Sequence, residues 1–182
     1  METLAYIFSF LGLISMISAS LVKGKNMKLI LFLVCCGNAF VGIAFLLEGK
    51  GLNGAASCFV GAAVTIINYF FEVKGKKVPK ALTIAYGLIF TVVNIIVSGG
   101  FKDTDATGII CGAVAIAACW MFCMCIGQEN GAKYRFWTIL NMALWLIYDV
   151  LSSSYSVLVS HALQLLFPIV GKILFDRKKD EK

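Results

Sequence analysis

Charge is scarce in this chain. Only 14% of its 182 residues are charged, 60% are apolar, and the mean hydropathy is +0.89. A soluble protein carries about a quarter charged residues, so a water-soluble globular fold is excluded and lipid must cover most of the surface. Histidine occurs once, as His161, and proline twice, as Pro79 and Pro168. With one histidine and no paired intramembrane carboxylates, the chain lacks a metal-ligand set. It also lacks His-Glu-x-x-His, Gly-x-Ser-x-Gly and a visible nucleophile–base pair. The expectation is no enzyme, no cofactor and no metal. Strand-like alternation is missing as well. The apolar runs are continuous over 16 to 19 residues, which selects helices over a barrel.

Seven cysteines are present, and Cys35, Cys36, Cys58, Cys111, Cys119, Cys123 and Cys125 all fall inside apolar runs. None has a partner in a loop, so no disulfide framework is expected. Cys119 and Cys123, one turn apart, read as small core residues before they read as a redox or metal pair.

The fold class is therefore all-α, a polytopic membrane bundle. Seven transmembrane helices are expected at roughly 4–22, 29–47, 55–71, 81–97, 109–126, 136–151 and 157–175. The first run has only Glu2 ahead of it and no basic n-region, so it reads as a mature span rather than a signal peptide. Short connections rich in Gly, Lys and Ser, such as Lys23-Gly24-Lys25, Glu48-Gly49-Lys50-Gly51, Ser98-Gly99-Gly100 and Ser152-Ser153-Ser154, leave no room for a soluble domain. One membrane domain, 1–182, is the whole reading.

The net charge of +6 is a topology signal rather than a nucleic-acid one, because the basic residues sit in short loops beside apolar runs. Lys23, Lys25, Lys28, Lys74, Lys76, Lys77, Lys80, Lys133, Arg135, Lys172, Arg177, Lys178, Lys179 and Lys182 fall on one side of a seven-span scheme. Those are 14 of the 16 basic residues, leaving Lys50 and Lys102 on the other side. The positive-inside rule then puts the C-terminus in the cytoplasm and the N-terminus outside.

Sliding the sequence on itself by 103 positions lays spans 1–3 onto spans 5–7. Asn38 falls on Asn141, Phe45 on Tyr148, Ser57 on Ser160, Lys74 on Arg177 and Lys76 on Lys179. Two parallel three-helix repeats (4–71 and 109–175) are expected, joined by a linker helix (81–97). In transporters such copies enclose the substrate site near the midplane. Asn141, Trp145 and Tyr148 share one face of span 6, as do His161, Gln164 and Pro168 in span 7. The equivalent faces carry Asn38, Gly42 and Phe45 in span 2, and Cys58, Gly61 and Thr65 in span 3, with Asn68 one turn further. Polar groups are costly in lipid, so these faces should line the interior or a cavity.

The 3+1+3 layout, the outside N-terminus and the run Trp145-Leu146-Ile147-Tyr148 resemble the SWEET sugar transporters and their PQ-loop relatives, which carry Trp-x-x-Tyr-Gly in span 6 and a pocket Asn thirteen residues beyond the Tyr. Here Asp149 follows the Tyr, and the thirteenth residue is His161. The resemblance implies that Trp145 and His161 hold the sugar-stacking and hydrogen-bonding positions. SWEET-type hinge prolines fall in spans 1, 2, 5 and 6, whereas Pro79 lies in a loop and Pro168 in span 7. Taken whole, the chain looks closer to the bacterial inner-membrane family of YgjV type, a distant relative, which implies a multi-pass protein of that membrane.

Each candidate residue carries two readings. His161, with an ordinary imidazole pKa of roughly 6.5, binds a solute hydroxyl or carries a proton, or else it is a neutral ring bonded to Ser57 or Asn68. Trp145 stacks on a solute or packs as an ordinary aromatic. Asn38 and Asn141 line a pocket or bond each other between helices; Gln164 and Asn68 stand the same way. Pro168 is a hinge or a static kink. Asp149 reads as a helix-end charge. The expected function is facilitated diffusion of a small neutral polar solute, such as a sugar, between the repeats. Trp145, His161, Gln164, Asn141, Asn38, Ser57, Ser160 and Asn68 would line the pocket and Pro168 would hinge it. The alternative is a non-transporting receptor or assembly partner on the same scaffold. The bilayer is the expected partner, and association of several copies is left open.

Overall fold

A computed structural model describes residues 2–23, 26–48, 52–97, 106–151 and 155–176. Among them are seven α-helices and no strand: α1 (Glu2–Leu21), α2 (Met27–Glu48), α3 (Leu52–Val73), α4 (Lys80–Val97), α5 (Ala106–Ile126), α6 (Gly131–Leu151) and α7 (Tyr155–Phe175). Six of the seven are long and apolar enough to cross a membrane, α6 being the exception. That helix is diluted by Lys133, Arg135, Asn141 and Asp149. Lys25, Lys50, Lys102, Arg177, Lys178, Lys179 and Lys182, seven of the 16 residues in the charge-sidedness count, lie outside the described residues, as do most of the short connecting segments.

The helix ends follow from local chemistry. Asn26 ahead of α2 and Asn130 ahead of α6 each accept a hydrogen bond from a backbone N–H three residues on, Leu29 at 3.2 Å and Lys133 at 2.9 Å. Both are N-caps. At the end of α3 the chain turns through Gly75 at φ 65°. Lys76 N–H reaches back to the Phe71 carbonyl at 2.9 Å, the 6→1 bond of a Schellman cap that glycine makes possible. The cap on α6 corrects one expectation. Lys133 and Arg135 belong to the helix, not to the loop before it.

Consecutive helices pack side by side within α1–α2–α3 and within α5–α6–α7, while α4 leans on α5 and less on α3. Contact of α1 with α7 closes the bundle. In lipid no hydrophobic force draws helices together, so close approach and hydrogen bonds must do so. At Gly87 of α4 a Cβ would sit 2.6 Å from the Trp120 ring of α5, and Trp120 Nε1 donates to Thr91 Oγ1 at 3.2 Å. Val34, Val64, Tyr86, Phe90, Cys119, Cys123 and Ile126 fill the space between the two triplets. Tyr6, Phe10, Ile96, Val159 and Leu174 are among many large apolar side chains left exposed. An outer surface of that kind suits contact with a bilayer.

The turns at the C-terminal ends of α1, α3, α5 and α7 lie at one end of the bundle. Arg135 at the start of α6 bonds the Val22 carbonyl after α1 and Asp176 after α7, and Lys77 after α3 meets Glu129 after α5 at 3.0 Å. Lys23, Lys74, Lys76, Lys77, Lys80 and Lys133 mark this basic end.

Candidate functional site

Two groups of polar side chains sit at opposite ends of the bundle. Near the end away from the lysines, the His161 ring of α7 lies on the Trp145 ring of α6, with centroids 5.7 Å apart and planes 26° from parallel. Tyr148 meets Trp145 edge-on at 5.4 Å. His161 Nδ1 is 2.7 Å from Asp149 Oδ2. Against an ionised carboxylate, which only accepts, Nδ1 is the donor of this bond. Asp149 is 1% exposed and the His161 side chain 19%. At about 1.5 Å per residue His161 lies roughly 9 Å from the start of α7, in the first third of the helix.

Asp149 is the residue that sequence reasoning passed over. Its place two residues from the end of α6 suggested a solvated helix-end charge, yet it is buried and paired with the lone histidine. One signal was available: Asp149 and His161 flank the Ser152–Ser154 connection, so a tight helical hairpin brings them level.

Neither Ser57 nor Asn68 serves His161. Asn68, fully buried on α3, donates to the Ile126 carbonyl of α5 at 3.0 Å and accepts from Tyr86 of α4 at 3.1 Å. Asn141 donates to the Ala118 carbonyl of α5 at 2.6 Å, and Asn38 to the Val34 carbonyl of its own helix at 3.0 Å. Asn38 and Asn141 therefore do not bond each other. Asn141 ties α6 to α5, while Asn38 packs against α3, its Oδ1 3.0 Å from where a Cβ on Gly61 would stand. Small Gly42 and Gly61 let α2 and α3 touch where α6 and α7 hold Trp145 and Gln164. Ser57, Ser160 and Gln164 are half-buried, and Pro168 is buried in an α7 that continues through it.

At the basic end, Asn68, Glu72, Lys76, Lys77, Gln128 and Glu129 line much of a crevice of about 200 Å³ between α3, α5 and the loops that follow them. A hydrogen bond from the Lys77 ammonium, with its positive charge, holds the exposed Glu129 carboxyl at the rim below the usual carboxylate range. The structure thus brings Trp145 and His161 together, places Asn68 in the crevice at the other end, and leaves Asn38 and Asn141 as braces within their own triplets.

Compared with protein-family models, curated proteins and solved structures, the chain matches none.

Proposed function

We propose that this chain is a seven-span carrier for a small neutral polar solute, working by alternating access between two three-helix repeats. Its N-terminus would lie outside and its C-terminus in the cytoplasm of a bacterial plasma membrane. The observation that carries the reading is the crevice at the basic end. Polar and apolar side chains line it together, Asn68 among them, and it lies where α3 of one triplet meets α5 of the other. A vestibule open to one side is what such a carrier presents in one of its two states. Moved on by 103 residues, α1, α2 and α3 begin within one residue of α5, α6 and α7 and end within two, which supports the repeat. The gathering of lysines around that crevice supports the orientation. The likeness of the Trp145–Tyr148 run to sugar transporters supports the solute class.

A second reading, a non-transporting receptor or assembly partner, draws on two observations. The space between the triplets is filled by apolar side chains, and one face of Trp145 is already taken by His161. Uptake of labelled hexoses, pentoses and polyols into proteoliposomes separates the two. Saturable uptake is expected of the carrier, and its absence across the panel would favour the second reading. If uptake proceeds, replacing Trp145 and His161 together by Ala should slow it at least tenfold. An unchanged rate would remove these residues from the site.

A further inference from the structure

The crevice at the basic end holds more formal charge than a wall facing an uncharged solute needs. Four ionic side chains line it, Glu72 and Glu129 against Lys76 and Lys77. Their signs balance, so the lining favours neither a lone anion nor a lone cation. Lys77 and Glu129 are joined at 3.0 Å, whereas Glu72 and Lys76 form no ion pair among the described residues. The end of α3 explains why. Four residues apart on a helix, a glutamate and a lysine meet on one face. Here the helix stops at Val73, and Gly75 at φ 65° turns the chain into its cap. Lys76 is thereby taken off the helical spacing that would seat it over Glu72.

The rest of the lining is mixed. Lys77 and Val78 donate their backbone N–H groups to no acceptor among the described residues. Gln128 gives its amide nitrogen to the Met124 carbonyl at 2.7 Å, which leaves Oε1 as an acceptor. Leu31, Val78 and Ile126 add an apolar stretch. A volume of about 200 Å³ is below the roughly 300–1,000 Å³ that houses drug-sized ligands, so the occupant is small.

We infer that this crevice binds a small zwitterion, an α-amino acid with a short aliphatic side chain such as alanine, its ammonium on Glu72 and its carboxylate on Lys76. The inference rests on the carrier reading given above and narrows its solute class, since a zwitterion is neutral overall. The ammonium only donates and takes the Glu72 carboxylate and Gln128 Oε1. The carboxylate only accepts and takes the Lys76 ammonium with the N–H groups of Lys77 and Val78. Asn68 stays part of the wall, because Ile126 and Tyr86 already engage both ends of its amide. A sugar enclosed here would take water from Glu72 and Lys76 and give neither a counter-charge, which opposes binding. A zwitterion supplies the missing partner to each.

Displacement of tritiated alanine from the full chain in lipid nanodiscs tests the site without requiring transport. Alanine should bind about tenfold or more tightly than propionate, which lacks the ammonium, ethylamine, which lacks the carboxylate, and xylose, which lacks both. Glu72→Gln and Lys76→Gln should each weaken it by about tenfold or more, and Glu72→Gln should erase the preference over propionate. Lys74→Gln, outside the lining, should leave binding unchanged. Alanine binding that is absent, is matched by any of the three competitors, or survives both substitutions overturns the site. In proteoliposomes alanine joins the panel of hexoses, pentoses and polyols, and its entry is expected, slowed by either substitution. Entry of a sugar or polyol without alanine overturns the inference and leaves the carrier standing. Selective alanine binding with no entry of any solute keeps the site and overturns the carrier.

Discussion

The Arg135 guanidinium grips the Asp176 carboxylate with two nitrogens, Nε lying 3.1 Å from one oxygen and Nη2 against the other, and gives Nη1 to the Val22 carbonyl at 2.9 Å. One side chain thus ties the end of α1, the start of α6 and the end of α7, with the Phe175 ring 5.7 Å from the guanidinium carbon. Arg135 is 1% exposed, so its charge depends on that partner.

Breaking this clasp should be costly. Arg135→Ala leaves Asp176 and a carbonyl without their donor, and a loss of about 3 kcal/mol is expected, at the lower end of the range for buried pairs because Asp176 retains some solvent. Arg135→Lys should recover only part of it, since an ammonium cannot present the two-pronged fork. Unfolding by sodium dodecyl sulfate from mixed micelles reads both.

Asn68 and Tyr86 should be coupled. Asn68→Ala abandons the Ile126 carbonyl and the Tyr86 hydroxyl together, for about 1–3 kcal/mol, while Tyr86→Phe removes one bond, for about 1 kcal/mol. The double variant is expected to lose less than the sum, because the hydroxyl has no partner left to lose once Asn68 is gone. A double-mutant cycle in the same unfolding assay measures it.

At Gly171, α7 runs hard against the backbone of α1. A Cβ there would stand 2.7 Å from the Ser20 carbonyl oxygen and 2.9 Å from Arg135 Cδ. Backbone cannot step aside as a side-chain tip can, so Gly171→Ala should cost about 1–3 kcal/mol through overpacking and should also loosen the Arg135 clasp. Thermal stability of the two single variants and their combination reads the coupling.

The rim pair Lys77–Glu129 predicts a modest pH effect of definite sign. Lys77 holds the Glu129 carboxyl below its ordinary value of 4.5, so the folded form favours the charged carboxylate. Its contribution is present above pH 4.5 and is lost as the pH falls below 4.5 and through the depressed value. Glu129→Gln should remove that portion of the acid sensitivity and leave stability at neutral pH nearly unchanged, since both groups are solvated. Melting curves at low salt, where screening is weakest, give the comparison.

Helices were legible because a bilayer demands long apolar runs, and the expected spans at 29–47 and 81–97 lie within two residues of α2 and α4. The start of α6 was not legible. Lys133 and Arg135 look like loop charges until Asp176, 41 residues on, is folded against Arg135. The asparagines were read correctly as inward-facing by spacing, yet spacing does not say what an amide will bond. Asn141 and Asn68 found backbone carbonyls on other helices, a choice fixed by helix rotation and depth. Asp149 was misread for the same reason, since His161 beside it stands on the next helix.

The account depends most directly on α6 crossing the membrane, because only an odd number of spans separates the termini and keeps the lysines together. Epitope tags on both ends of the chain, with protease added outside intact bacterial spheroplasts, test it. Loss of the N-terminal tag with survival of the C-terminal one is the predicted result; loss of both, or survival of both, would contradict it.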